Sequence, residues 1–402
     1  MNRAEAKKIH IIGAGLSGLF SAYAFLKAGF SVVIYEQSDR CGGLIQTHHL
    51  NWGLVETAAN GLIYTRHVEM MFEDLGLHAQ PMQKEFKKRF IFKKSPRQWP
   101  LSIAGTFRLL WGFFYRPEIQ PEESVRSYGV RRFGQEATEF LIEPALLGVF
   151  GASTNDLDAR LIKNYFFGGP QLKPLNQNIK GTVAPEMGMG QLVEGLRLWL
   201  EKNGATFILN KKITSIDLVQ MQNEQCVLAT EATTAAELLR EISPEHSESL
   251  KGVEFRPLSS LTVQYKEVLP LKGFGCLFPL KEKFNSYGVL FNNCIFKNRS
   301  EKDSATWILP DATSSEAQLL NQIALDAKRV FGFQPTVEND SLTRWPKALP
   351  LYNKNLASFL KLLKQKPIRN IDLIGNYTGM IGLAKILSQA FELTENIKRG
   401  HN

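Results

Sequence analysis

The sequence predicts an α/β fold, α+β over the whole chain, on three observations. An apolar strand, a glycine-rich turn and a helical pattern follow one another within the first thirty residues. Residues 255–310 alternate apolar and polar side chains in SSLTVQYKEV, YGVLFNNCIF and SATWILP, the period of an antiparallel sheet. A second strand, glycine-rich turn and helix, RNIDLIGNYTGMIGLAKILSQAFELTENI, stands near the C-terminus. Two such units at opposite ends predict that the chain leaves its first domain and later returns to it. At 402 residues the chain is too long for one ordinary core, so two or three domains are expected.

In KIHIIGAG (8–15), Ile9, Ile11 and Ile12 make a short buried strand. GAGLSG places Gly13, Gly15 and Gly18 in G-x-G-x-x-G spacing; Leu19, Ala22, Tyr23 and Leu26 then mark a helix that Gly29 ends. SVVIYE is a second strand closing on Glu36. Gly13 permits the tight turn, Gly15 lets the backbone approach a pyrophosphate, and Gly18 lets helix and strand pack closely. The helix N-terminus offers free N–H groups and partial positive charge to phosphates. Glu36, 18 residues past Gly18, can accept hydrogen bonds from a ribose. Strand, glycines, helix, strand and acid in this order predict a Rossmann-like dinucleotide-binding domain. Six residues after Glu36 comes the pair Gly42-Gly43, where a second backbone turn can pass close to the cofactor. NAD proteins have no need of that pair, and an acid at 36 with no arginine beside it argues against NADP. The E-x5-GG extension resembles the FAD-binding start of the flavin amine oxidase superfamily, so FAD is the expected cofactor.

Residues 80–185 are basic, aromatic and proline-punctuated, with helical patches at 122–133 and 135–147. Within them FKKRFIFKKSPRQW (86–99) carries Lys87, Lys88, Arg89, Lys93, Lys94 and Arg97, four aromatics and no acid. LSIAGTFRLLWGFFY (101–115) is too short to span a membrane and is interrupted by Arg108. It reads either as a segment lying in a membrane interface or as a buried helix. EMGMGQ leads into a helix, LVEGLRLWLEKNG, that Gly204 closes; ATFILNKKITSIDL reads as a strand pair; CVLATEATTAAELLREI reads as strand, turn and helix; residues 316–331 form one amphipathic helix. The expected division is a discontinuous cofactor domain (1–78, 186–230, 363–402), a mixed-sheet substrate domain (79–89, 231–362) and a helical, membrane-associating insertion (90–185).

Apolar content is 44% and charged content 22%, with no fixed-period repeat, which excludes a disordered or fibrous chain. The net charge of +9 suits an acidic partner without naming one. Cys41, Cys226, Cys276 and Cys294 are scattered with no CxxC, as buried thiols rather than a disulfide frame or zinc site. No metal spacing exists among the histidines, and His48-His49 reads as a solvated loop. MNRAEAKK lacks an apolar signal core, so the expected location is cytoplasmic, at the inner face of the cell membrane if attached.

Beyond these features the chain resembles the oxygen-dependent protoporphyrinogen and coproporphyrinogen oxidases of the flavin amine oxidase superfamily. The likeness rests on KRFIF followed by WPLS, IEPALLGVFGASTNDLDARL, KGFGCLFPLKE and LIGNYTGMIGLAKIL, over nearly the whole chain. It implies a GR2-type FAD domain and six-electron oxidation of a porphyrinogen. The flavin takes hydride from sp³ bridge carbons, O₂ reoxidises it to give H₂O₂, and three cycles aromatise the ring. The difficult chemistry is the cofactor's, so no acid–base dyad is required.

Carried over residue by residue, the resemblance gives Gly13, Ala14, Gly15, Leu16, Ser17, Gly18, Gly42 and Gly43 to the pyrophosphate turns and Glu36 to the ribose. Ala58, Ala59, Asn60 and Gly61 would lie along the flavin, with Asn60 facing the ring, and the Ile213 backbone would meet the adenine. Gly375, Met380, Ile381 and Gly382 would cover the isoalloxazine. Arg89 would pair with a substrate propionate, as a planar bidentate cation can. Phe274, Gly275 and Leu277 would press on the tetrapyrrole, and Gly148 and Phe150 would line the same cavity. Read without the resemblance, Arg89 is also a plain surface cation, Phe274 and Leu277 are ordinary core, and Asn60 is a turn-former.

Lys93, Lys94 and Arg97, with Phe92, Trp99 and 101–115, are expected to meet anionic lipid. No nucleic-acid module is recognised. The region 165–185 is shorter than in many relatives, which leaves protoporphyrinogen and coproporphyrinogen both open. The alternative is another flavin amine-oxidase-type enzyme acting on an amine or polyene.

Overall fold

The computed structural model describes residues 7–168 and 172–400. Five parallel strands form one sheet in the order Thr206–Ile208, Ser31–Tyr35, Lys8–Ile12, Gln225–Leu228, Ile371–Leu373. Its central strands are apolar on both faces, as parallel strands covered by helices must be. Helix Leu16–Lys27 packs on one face together with Met189–Lys202 and Leu383–Lys398, and nine of its twelve residues are buried. A second core on the other face gathers Ala232–Leu239, Pro244–Lys251 and Lys354–Gln365.

The second sheet has seven strands in the order Val337–Pro350, Phe255–Tyr265, Ser304–Leu309, Gly288–Phe291, Gly275–Leu277, Arg89–Lys93, Ser95–Arg97. All neighbours are antiparallel except Gly275–Leu277 with Arg89–Lys93. Alternation along the strands separates two faces. Leu261, Val263, Trp307, Val289 and Phe291 bury against helix Glu316–Phe331, which opens with a Ser315/Gln318 capping box. Ser260, Thr262 and Thr306 point to the opposite face, where Thr262 Oγ1 and Thr306 Oγ1 lie 2.9 Å apart.

The helical region contains Ile103–Phe114, Val125–Phe133, a run over 135–150 with a wide turn at Thr138–Ile142, and Ala159–Phe167. Several sequence expectations change here. Strand Arg89–Lys93 crosses the expected boundary at 89–90, because Gly275–Leu277 needs a partner on that edge. The strand pair expected in ATFILNKKITSIDL is one strand, Thr206–Ile208, and then helix Ser215–Met221, started by a Thr214/Asp217 capping box. The strand in YGVLFNNCIF stops at Phe291 and turns into Asn292–Ile295. His48 and His49 are not in a loop but in strand Thr47–Leu50, paired with Gly53–Glu56. The segment 101–115 is helical but not buried: of Ile103–Phe114 only Gly112 is covered. All four cysteines are free and buried. No cluster of metal-ligating side chains occurs among the described residues.

Candidate flavin and substrate site

The site begins at the C-terminal edge of the parallel sheet. Gly13 has φ +105°, and a Cβ there would stand 2.8 Å from the Ala229 carbonyl oxygen. At Gly18 it would fall 1.9 Å from the Gly13 carbonyl oxygen, so strand, turn and helix fit only with two glycines. Gly15 caps helix Leu16–Lys27 with no side-chain hydrogen bond, and the first turn carries no acid, leaving its N–H groups for an anion. Gly42 N–H donates to the Ala14 carbonyl at 2.8 Å and bridges to Gly15, which joins the two glycine turns. A Cβ on Gly43 would sit 3.1 Å from Gly15 Cα. Bare backbone on both sides of this cleft fits a pyrophosphate. Leu16 and Ala14 are buried behind it, while Ser17 is half-buried.

Glu36 ends the neighbouring strand. Its carboxylate accepts from the Ala14 N–H at 2.8 Å and from the Ser38 N–H and hydroxyl at 2.9 and 2.8 Å. These bonds fix the carboxylate beside the turn, where free lone pairs can take a ribose hydroxyl. The chain passes Glu36 again at 210–213, since Lys211 N–H donates to the Glu36 carbonyl at 2.8 Å, which brings Ile213 near the same edge.

Ala58, Ala59 and Met380 pack on one core and Ile381 on the other, so the 375–382 turn touches both cores. Thr378 ties the second turn, donating to the Gly375 carbonyl at 2.8 Å. Gly382 caps the last helix, Leu383–Lys398, and a Cβ on it would stand 3.0 Å from the Tyr165 hydroxyl. Gly61 is tighter still, since a Cβ there would stand 2.6 Å from the Val183 carbonyl oxygen.

Phe274 packs on the same core as Ala58, Ala59 and Met380. The Arg89 guanidinium stands over its ring, 4.7 Å from the centroid. Arg89 is paired in register with Gly275, and Leu277 lies two residues along, in contact range of a Cβ placed on Gly148. The structure therefore brings Arg89, Phe274, Gly275, Leu277 and Gly148 to one sheet edge. It does not bring Phe150 there. Phe150 is fully buried between Tyr165 (5.2 Å) and Tyr352 (4.9 Å), because its ring completes the second core. Lys93 and Phe92 are also turned inward rather than to lipid. Lys93 Nζ binds Glu136 at 2.5 Å and the Pro100 carbonyl at 2.8 Å, and Phe92 stacks edge-on against Phe284.

Sequence reading missed the most buried ion pair among the described residues. Asn60 shares a small cavity with Glu56, Asn292, Arg299 and Thr306. Arg299, 4% exposed, reaches Glu56 Oε1 at 3.3 Å, and its Nε has no partner among the described residues. Burial pushes the Glu56 carboxyl up and the Arg299 guanidinium down, against their mutual attraction. Glu56 also accepts from Thr47 Oγ1 at 2.7 Å and the Met189 N–H at 2.8 Å. Removing one member of such a pair costs about 3–5 kcal/mol. Lys385, whose pKa burial lowers, donates to the Tyr165 carbonyl and lies over that ring, so helix Ala159–Phe167 is tied to the second turn.

A family model, flavin containing amine oxidoreductase, matches residues 16–383. The chain is 24% identical to protoporphyrinogen oxidase 2, chloroplastic/mitochondrial, of Arabidopsis thaliana, covering 96% of this chain and 92% of the relative. It is 22% identical to the chloroplastic protoporphyrinogen oxidase of Nicotiana tabacum, covering 96% and 84%. Reduced UDP-galactopyranose mutase shares the fold with a TM-score of 0.74 at 13% identity, covering 98% and 94% of the two chains. A flavin held by a dinucleotide-binding turn is FAD. The chain belongs to the flavin-containing amine oxidoreductase family and is an oxidoreductase with FAD as its cofactor.

Proposed function

We propose that this protein is a porphyrinogen oxidase, taking protoporphyrinogen IX or coproporphyrinogen III to the porphyrin with O₂ as the final acceptor. The observation that carries the reading is Arg89 over Phe274, beside Gly275 and Leu277, on a sheet edge whose Phe274 packs on the same core as Ala58 and Ala59. An apolar wall with one cation at its rim suits a flat macrocycle bearing carboxylates. FAD supplies hydride acceptance when bound. The chain's own part is placement: Arg89 takes a propionate, Phe274 and Leu277 bear on the ring faces, and Asn60 positions the macrocycle against the cofactor. The curated relatives, named protoporphyrinogen oxidases, support the substrate class.

The same reading includes peripheral attachment to an anionic membrane. Helix Ile103–Phe114 turns Ile103, Phe107, Leu110, Trp111 and Phe114 outward, with Phe107 69% and Phe114 83% exposed. Lys94 and Arg97, on the strand turn that precedes it, and Arg116, just past its C-terminus, are exposed. Apolar side chains rimmed by cations fit the boundary between headgroups and acyl chains. No helix among the described residues is long and apolar enough to cross a membrane.

The test is porphyrin fluorescence and H₂O₂ formation with each porphyrinogen in air, for wild type and Arg89→Ala. Catalysed oxidation above the spontaneous rate is expected. Arg89→Ala should raise KM about 10- to 100-fold, the worth of a charge-assisted pair, with FAD content intact. A yellow wild type inert to both substrates would overturn the reading. Loss of flavin in the variant would remove Arg89 from the substrate role.

A further inference from the structure

Outside that sheet edge lies an open cleft of about 340 Å³, lined by Pro81, Met82, Lys84, Lys87, Asn178 and Lys180, with Gln177 completing the rim. Its size falls at the lower end of small-ligand sites. Three ammonium groups from two separate chain segments converge on it. No acid lines it, and none of the three lysines has an ion-pair partner among the described residues.

The walls are fixed by bonds that do not involve the lysines. Gln80 and Pro81 pair with Ala184 and Val183. Met82 N–H donates to the Thr182 carbonyl at 3.0 Å, and Gln83 is held by the carbonyls of Ile295 and Asn293. Opposite them, buried Glu69 accepts from the N–H groups of Leu175 and Asn176, both at 2.7 Å, and Asn176 Oδ1 from the Asn178 N–H at 3.1 Å. Three like charges held around one concavity repel one another, and a multivalent anion removes that repulsion. Asn178 and Gln177 add neutral amide donors at the rim, and buried Met82 gives the floor an apolar patch.

We infer that this cleft is a binding site for a small polyanion carrying two or more carboxylates or phosphates, separate from the flavin and macrocycle sites. Lys84, Lys87 and Lys180 are its charge-bearing residues.

The experiment is calorimetric titration of the FAD-loaded protein with citrate and, separately, with pyrophosphate, at low and raised salt. At least one should bind saturably at one site, more weakly as salt rises. Lys84→Gln/Lys87→Gln/Lys180→Gln should weaken it about tenfold or more. Lys361→Gln/Lys364→Gln, on helix Lys354–Gln365, should leave it unchanged. Citrate alone binding assigns carboxylates, pyrophosphate alone assigns phosphates, and both assign selection by charge. Saturable binding of neither probe, equal weakening by both variant sets, or full binding by the triple variant overturns the inference. Flavin absorbance and porphyrinogen turnover in the same preparations report on the catalytic proposal independently. A protein inert to porphyrinogens that still binds citrate loses that proposal and keeps this one.

Discussion

Helices Leu16–Lys27 and Ile103–Phe114 are both twelve residues long and both strongly apolar, yet nine residues of the first are buried and one of the second. The first carries Gly18 where strand and turn close in, so its whole surface can be covered. The second is tethered at its base. Ser102 caps it, Glu136 binds Ser102 Oγ at 2.6 Å, and Arg108 donates to the carbonyls of Arg131 and Arg132, both at 2.8 Å. The polar anchors fix its position, and nothing else in the described chain covers its outer side. Apolar content alone therefore does not distinguish a core helix from one left exposed; the anchoring does.

The sharpest way to break this comparison is Gly18→Ala. With backbone 1.9 Å from the new Cβ, we expect a loss above about 3 kcal/mol and a colourless protein. Thermal melting and flavin absorbance check it, and a stable yellow variant would refute the packing argument. Phe107→Asp/Phe114→Asp should do the reverse. Stability should change by less than about 0.5 kcal/mol, while sedimentation with vesicles containing phosphatidylserine falls about tenfold or more. A large drop in melting temperature would mean that these rings are core after all.

The smallest effect concerns pH. Burial would raise the Glu136 carboxyl, but the bonds from Lys93 and Ser102 outweigh it and hold the group near about 2, against an ordinary 4.5. Unfolding of the insertion returns Glu136 to its ordinary value, so below it the unfolded state takes up the proton first. Its contribution is whole above about pH 4.5 and is lost as the pH falls toward 2. Hydrogen exchange over 103–114, normalised to intrinsic rates, should accelerate across that window while Leu16–Lys27 stays protected. Glu136→Gln should flatten the dependence; an unchanged slope would assign it to another group.

The first nucleotide turn was legible because its constraints are local: the glycine spacings, the apolar strand and Glu36 all fall within one short stretch. Helix Ser215–Met221 was misread although its Thr214-x-x-Asp217 start is visible, because the neighbouring β-branched residues outweighed the cap. Phe92 and Lys93 were assigned to lipid because charge and aromaticity were counted without direction; strand alternation buries Phe92, and on the other side Glu136 holds Lys93. Arg299 had no signal at all. Its partner Glu56 is 243 residues away, and only the fold brings them to 3.3 Å.

The order of the five-stranded sheet bears on how the protein is made. Strand Gln225–Leu228 lies between Lys8–Ile12 and Ile371–Leu373, so Lys8–Ile12 waits for a partner made far later in the chain, and that partner waits for one later still. Until Ile371–Leu373 emerges, one edge of Gln225–Leu228 stays unpaired, and closing such long loops is slow. The growing chain thus carries an open, apolar strand edge until Ile371–Leu373 emerges, the condition in which chaperones matter most. A chain truncated before Ile371–Leu373 would hold the first glycine turns and lack the 375–382 turn, which the proposed reading sets over the flavin, so on that reading it should fail to retain FAD.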